Sequence, residues 1–168
     1  MYTLITGLYK QWTQKEEFYV IILGLDNAGK TVEINSTRLN FWDLGGQREL
    51  HSIWEKYYSE CHAIVFVVDA TDKERIEEVK ETFESVITND TVEGVPVLML
   101  ANKQDVPSAL KVHEIKEIFN PIALRLGARD SKVLPVSALK GDGVQEAVDW
   151  LFVRLQRNRT NRPPIFRN

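Results

Sequence analysis

The chain has 168 residues, 43% of them hydrophobic and 27% charged, which is the mixture of one soluble globular domain rather than of a disordered or fibrous chain. A net charge of −3 excludes a uniformly basic nucleic-acid-binding surface, and the single cysteine, Cys61, excludes an internal disulfide framework. No apolar run approaches the roughly 20 residues of a membrane span, and no secretory signal opens the chain, so a cytosolic protein with at most peripheral membrane contact is expected.

The first sixteen residues carry Met1, Leu4, Ile5, Leu8, Tyr9 and Trp12 on one helical stripe. Such a stripe either packs on the core or lies in a membrane interface. Phe18–Leu23 then reads as a strand, followed by "GLDNAGKT". Val32–Ile34 look like the end of a second strand, Asn35–Thr37 its turn, and Arg38–Trp42 the next strand. Ala63–Asp69, Val95–Ala101 and Lys132–Val136 are further strands. The runs "FYVIIL", "AIVFVV" and "VPVLML" are almost continuously apolar, as strands covered on both faces are. Helical spacing places Ile76, Val79, Phe83 and Val86 on one face of a helix, and Val144, Val148, Leu151 and Leu155 on another, with Asp142 as its N-cap. Lys111–Leu126 reads as a helix broken near Pro121. The arginines at 154, 157, 159, 162 and 167 form a basic end whose last residues, after Pro163–Pro164, are expected to be irregular. This alternation predicts a single doubly wound α/β domain with a mainly parallel sheet.

Four motifs fall at strand C-termini, where open α/β sheets bind ligands. "GLDNAGKT" fits a phosphate loop: Gly24, Leu25, Asp26, Asn27, Ala28 and Gly29 supply backbone N–H groups, Lys30 reaches the β- and γ-phosphates, and Thr31 binds Mg²⁺. In "WDLGGQ", Asp43 can hold Mg²⁺ through a water and Gly45 can offer its N–H to a γ-phosphate. In "NKQD", Asp105 can accept from guanine N1–H and the exocyclic amine, a pairing that adenine does not present. Asn102 binds the purine's other edge and the Lys103 stem lies along the base. "SAL", from Ser137, supplies a backbone N–H at Ala138 for the guanine oxygen.

These motifs, in these forms, resemble the small GTPases of the ADP-ribosylation factor (Arf) family. "MYTLITGLYK", "SIWEKYYSECH" and the late "RPP" resemble its Golgi-associated Arf-related branch. The resemblance implies a P-loop NTPase fold and a GTP/GDP switch in Golgi and vesicle traffic, with Mg²⁺ at Thr31 and Asp43. It implies that Gly46 senses the γ-phosphate and that Gln47 orients the attacking water, with slow intrinsic hydrolysis. Implied partners are an exchange factor, a GTPase-activating protein and effectors, met in part around Trp54, Tyr57 and Tyr58, together with a Golgi membrane receptor for the N-terminal helix. Residue 2 is Tyr2, so a myristoylation start is absent. His51, His62 and His113 lack metal-ligand spacing and read as structural.

The chain departs from the family between its first two motifs. Only Val32–Phe41 separate "GLDNAGKT" from "WDLGGQ", so about one helix, the first switch segment and its threonine have no counterpart. A parallel crossover from Phe18–Leu23 to Arg38–Trp42 takes a dozen or more residues. The short connection is therefore expected to draw Val32–Ile34 out of their hairpin, to expose apolar residues on one sheet face, and to weaken nucleotide binding. The alternative reading is a non-switching nucleotide-binding or interaction protein of the same fold. A generic P-loop ATPase or kinase is disfavoured by "NKQD".

Overall fold

The computed structural model describes residues 15–24, 30–34, 36–45 and 51–167. Its strands are β1 (Lys15–Leu23), β2 (Lys30–Ile34), β3 (Thr37–Asp43), β4 (Ala63–Asp69), β5 (Val97–Asn102), β6 (Ser131–Pro135) and β7 (Ile165–Arg167). The helices are α1 (His51–Tyr58), α2 (Ile76–Ile87), α3 (Val112–Ala123) and α4 (Val144–Arg157). The sheet runs β2-β3-β1-β4-β5-β6, with β7 paired to β1. β1, β3, β4, β5 and β6 are parallel, so their C-terminal ends share one edge.

Strand alternation sorts the core into two layers. Ile21, Leu23, Ile64, Phe66, Val68 and Met99 face α1, α2 and α3 through Trp54, Phe83, Ile115 and Phe119. Phe18, Val20, Leu39, Val65, Val67 and Leu98 face Ala147, Leu151 and Leu155 of α4. Each buried side chain of this size contributes roughly 1.5–3 kcal/mol.

The structure corrects the expected fate of the hairpin. Val32–Ile34 stay paired: β2 runs antiparallel to β3, with Val32 opposite Leu39 and Ile34 opposite Thr37. The expected crossover was drawn between the wrong strands. Chain order runs β1 to β2, which are antiparallel to each other with β3 between them, so both ends of the link lie at the same sheet edge. Two strand spacings are about 10 Å, well within the ~20 Å that six residues can reach. The expected exposure is limited: among the described residues of this face Phe18, Val20 and Leu39 are fully buried, while Ile22 and Phe41 are only partly so.

Other boundaries moved for local reasons. Lys15 and Glu16 belong to β1 rather than to an N-terminal helix; residues 1–14, with the apolar stripe, lie outside the described residues. Pro121 does not break α3, which continues to Ala123. So near the helix end, Pro121 removes one hydrogen bond, to the carbonyl of Glu117, an exposed residue that water can serve. Asp142 is not the α4 cap. Gly143 is, at φ 76°, and a Cβ there would stand 2.4 Å from the Pro135 carbonyl oxygen. Residues 165–167 are a strand, not irregular: Ile165, Phe166 and Arg167 pair antiparallel with Glu17, Glu16 and Lys15.

Candidate functional site

The loops after β5 and β6 bring the second pair of motifs together. Asn102 ends β5 and is buried; its Oδ1 accepts the Ala138 N–H at 3.0 Å. That leaves its amide NH2 group as the donor for a ligand. It also commits the Ala138 N–H, the group expected to meet a guanine oxygen, to Asn102. Ser137 is buried and its Oγ donates to Asp105 Oδ1 at 2.6 Å. The Ser137 hydroxyl holds the half-buried Asp105 carboxyl below the usual carboxylate range. Asp105 is therefore an ionised acceptor with lone pairs to spare for two N–H donors. Backbone bonds brace both loops: Gln104 N–H to Val136 O at 3.1 Å, and Ser137 N–H to Asp142 O at 3.0 Å. The Gln104 side chain adds a bond to Leu110 O at 2.9 Å.

Lys103 has φ 65°, a left-handed conformation that costs a non-glycine residue roughly 1–2 kcal/mol. Such strain persists where the surroundings dictate it, often at functional sites. Its Nζ lies 2.6 Å from Asp69 Oδ2 at the end of β4. Asp69 Oδ1 in turn accepts from Thr71 Oγ1 at 2.6 Å and Thr71 N at 2.9 Å. Burial opposes the charged form of Asp69, but the hydrogen bonds from Lys103 and Thr71 outweigh it and lower its pKa. Asp69 and Thr71 were missed in the sequence; the signal was a carboxylate ending an apolar strand, followed two residues later by a hydroxyl.

The first pair of motifs is arranged differently. Gly24 follows β1 at φ 101°, and a Cβ there would lie 2.3 Å from the Val67 carbonyl oxygen, so only glycine fits. Leu25, Asp26, Asn27, Ala28 and Gly29 lie outside the described residues, as do Gly46 and Gln47. Lys30 and Thr31 open the edge strand β2, opposite Phe41 and Asn40. Asp43 ends β3 beside Ile22 of β1, and its Oδ1 accepts the Gly45 N–H at 3.3 Å. Trp54 Nε1 donates to Leu44 O at 3.0 Å and Gly45 O at 3.2 Å, tying α1 to this turn, a contact that its helical spacing did not reveal.

A guanine base fits the donors and acceptors of the first half: ionised acceptor, amide donor and braced backbone. The phosphate half does not fit in the same way. Lys30 and Thr31 sit in an antiparallel ladder rather than at a helix N-terminus, where orphan N–H groups hold anions. Thr31 stands one strand away from β3 and opposite a residue three short of Asp43. Among the described residues no group of three or more His, Cys, Asp or Glu is placed for a metal. A Mg²⁺ bound mainly through phosphate oxygens would need none.

The model of the ADP-ribosylation factor family matches residues 30–155. The chain belongs to the Arf family. ADP-ribosylation factor-like protein 3 of Saccharomyces cerevisiae is 44% identical to this Arf protein, covering 99% of this chain and 100% of that one. ADP-ribosylation factor-related protein 1 of Homo sapiens is 43% identical, covering 98% and 97%. A solved structure of the Arl6 BBS3 small GTPase from Trypanosoma brucei, with bound nucleotide analogue GppNp, matches with a TM-score of 0.75 at 26% identity, covering 84% of this chain and 98% of that one. The fold is thus the α/β P-loop fold of small GTPases. The yeast alignment runs over 198 positions, 30 more than the 168 residues of this Arf chain. At least that many residues of the relative have no counterpart here.

Proposed function

We propose that this Arf chain binds guanine nucleotides and serves Golgi and vesicle traffic as a peripheral membrane protein. The observation that carries the nucleotide assignment is the Asp105–Ser137 and Asn102–Ala138 network, which presents an ionised acceptor beside an amide donor. The trafficking assignment rests on likeness to Arf-related relatives. Its partners would be those of the family: exchange factor, GTPase-activating protein and effectors meeting α1 and the β2–β3 hairpin, and a Golgi membrane receptor meeting residues 1–14. Competition of GTP against ATP tests the base assignment. A GTP preference of about tenfold or more is expected; equal affinity sinks it.

Two readings of the output differ. In the switching reading, the phosphate loop Gly24–Thr31 with Gly45 and Gly46 holds the phosphates, Thr31 and Asp43 serve Mg²⁺, and Gln47 acts in slow hydrolysis. In the other, binding is not coupled to a switch. The placement of Lys30 and Thr31 in β2 favours the second.

A further inference from the structure

We infer that the outer edge of β6, with the apolar pocket beside it, docks an extended acidic segment of a partner protein. The segment joins the sheet as an added strand and buries one apolar side chain in the pocket.

β6 ends the sheet, and among the described residues only β5 pairs with it. Backbone groups along a strand alternate between its two sides. Asp130 O accepts the Val97 N–H at 2.9 Å, and the Val136 N–H donates to Ala101 O at 3.0 Å. The even-numbered positions from 130 to 136 therefore turn their backbone groups toward β5. Ser131, Val133 and Pro135 turn theirs outward, presenting two N–H and three C=O groups. Pro135, without an N–H, limits the ladder at that end. An open edge of this kind is a template for another extended chain.

The pocket supplies the selectivity. It lies between β6 and α3, has a volume of about 290 Å³, and is walled by Phe83, Met99, Phe119, Leu126 and Val133. The Phe83 and Phe119 rings meet edge to face with centroids 5.6 Å apart, which makes a stiff apolar wall. Val133 packs with the α3 layer and Leu134 with the α4 layer, so Ser131 and Val133 lie on the α3 face. A residue paired opposite either of them points its side chain to that same face, where the pocket opens.

The charge around the pocket selects an acidic partner. No acidic residue lines it. Lys116 of α3 stands exposed at its rim and makes no ion pair among the described residues, whereas Lys132 is held by Glu146 of α4 at 3.0 Å. A carboxylate two residues from the apolar anchor shares its face and can meet Lys116. A second copy of this chain fits less well. Two β6 edges paired about a twofold axis would bring Lys116 and Lys132 of both copies to one seam, and like charges across paired strands are destabilising.

Fluorescence polarisation on the full chain tests this with a labelled heptapeptide, Thr-Glu-Thr-Phe-Thr-Glu-Thr, whose Phe and both Glu share one face of an extended strand. A Kd on the order of 10–100 µM is expected for one short ladder with one anchor. The same peptide with Lys in place of both Glu should bind about fivefold more weakly or worse, and the Lys116→Glu variant should reverse that order. Methylating the Phe nitrogen removes a backbone donor without altering the protein, and should weaken binding about tenfold. No binding up to about 1 mM, no preference between the acidic and basic peptides, an order that Lys116→Glu leaves unchanged, or full binding by the methylated peptide would each overturn the inference. A dimer in sedimentation velocity that the acidic peptide dissociates would overturn it too, by making a second copy the occupant of this edge.

Discussion

Ser137 does two tasks with one hydroxyl: it donates to Asp105 and accepts the Lys140 N–H at 3.3 Å. Ser137→Ala should cost guanosine about three- to tenfold in affinity, because Asp105 loses its orienting partner. The pH profile gives an independent check. Asp105 has a depressed folded pKa, so its ionised form persists down to about pH 4, near the free carboxylate value, and is lost as pH falls through the folded pKa. In the alanine variant the acid loss of binding should shift to higher pH. Gly24→Ala meets a backbone carbonyl at 2.3 Å in a left-handed conformation, and should destabilise by roughly 2 kcal/mol, lowering Tm by about 4–8 °C. His62 offers a third test. Its Nδ1 accepts the Tyr19 N–H at 3.0 Å, so in the neutral ring Nε2 donates to Pro163 O at 3.0 Å. Burial lowers its pKa below 6.5. The unfolded chain then binds the proton that the folded chain refuses, so stability is full above about pH 6.5 and falls as the pH drops below it. Thermal melts between pH 7.5 and 5 should show this loss, and His62→Gln, which keeps an acceptor and a donor without titrating, should show less of it.

The C-terminal tail changes meaning at the level of elements. Its arginines read as a basic, irregular end in the sequence, yet several have protein partners. Arg162 donates to the carbonyls of Ser59 at 3.2 Å, Cys61 at 3.4 Å and Tyr58 at 3.5 Å, where α1 ends, and also to Thr91 O. Arg159 pairs with Glu16 of β1, and Arg154 with Asp130 at 3.5 Å. A cation at a helix C-terminus complements its unpaired carbonyls and dipole. Arg162→Ala should therefore cost about 1–3 kcal/mol, read as a lower midpoint in denaturant unfolding with little change in slope. Sequence pattern reached the elements whose reason is local. The apolar runs of β1, β4 and β5 and the three-and-four spacing of α2 and α4 need only periodicity. β7 was beyond it, because three residues after two prolines become a strand only through the exposed start of β1. The same holds in the site. "NKQD" and "SAL" carry their chemistry in residue type, whereas the Asp69–Lys103 pair and the Trp54 bonds to Leu44 and Gly45 exist only once the strands are aligned.

For the whole molecule, the shortened link between the first two motifs decides most of the behaviour. It leaves α4 as the one helix on its face of the sheet among the described residues, while α1, α2 and α3 cover the other. The path of the link was not legible in the sequence, since the cost of a connection depends on which strands it joins, and that is a property of the sheet. Inserting the yeast relative's unmatched residues, about 30, at the Thr31–Val32 seam read from the sequence should raise the preference for GTP and its dependence on Mg²⁺. Calorimetry on the chimera checks this, with GTP over guanosine rising by about tenfold or more. The β1–β7 pairing has a further geometric effect. Lys15 lies directly across from Arg167, so the two ends of the described domain meet within about one strand spacing. A peptide of a few residues would close them into a ring, and a circularly permuted chain reopened at an exposed loop should keep the fold. Both ends also lie at the start of β1, a nine-residue strand of about 30 Å. Any anchor holding residues 1–14 would therefore act on the tail as well, since both leave the domain at the sheet edge opposite the strand C-termini.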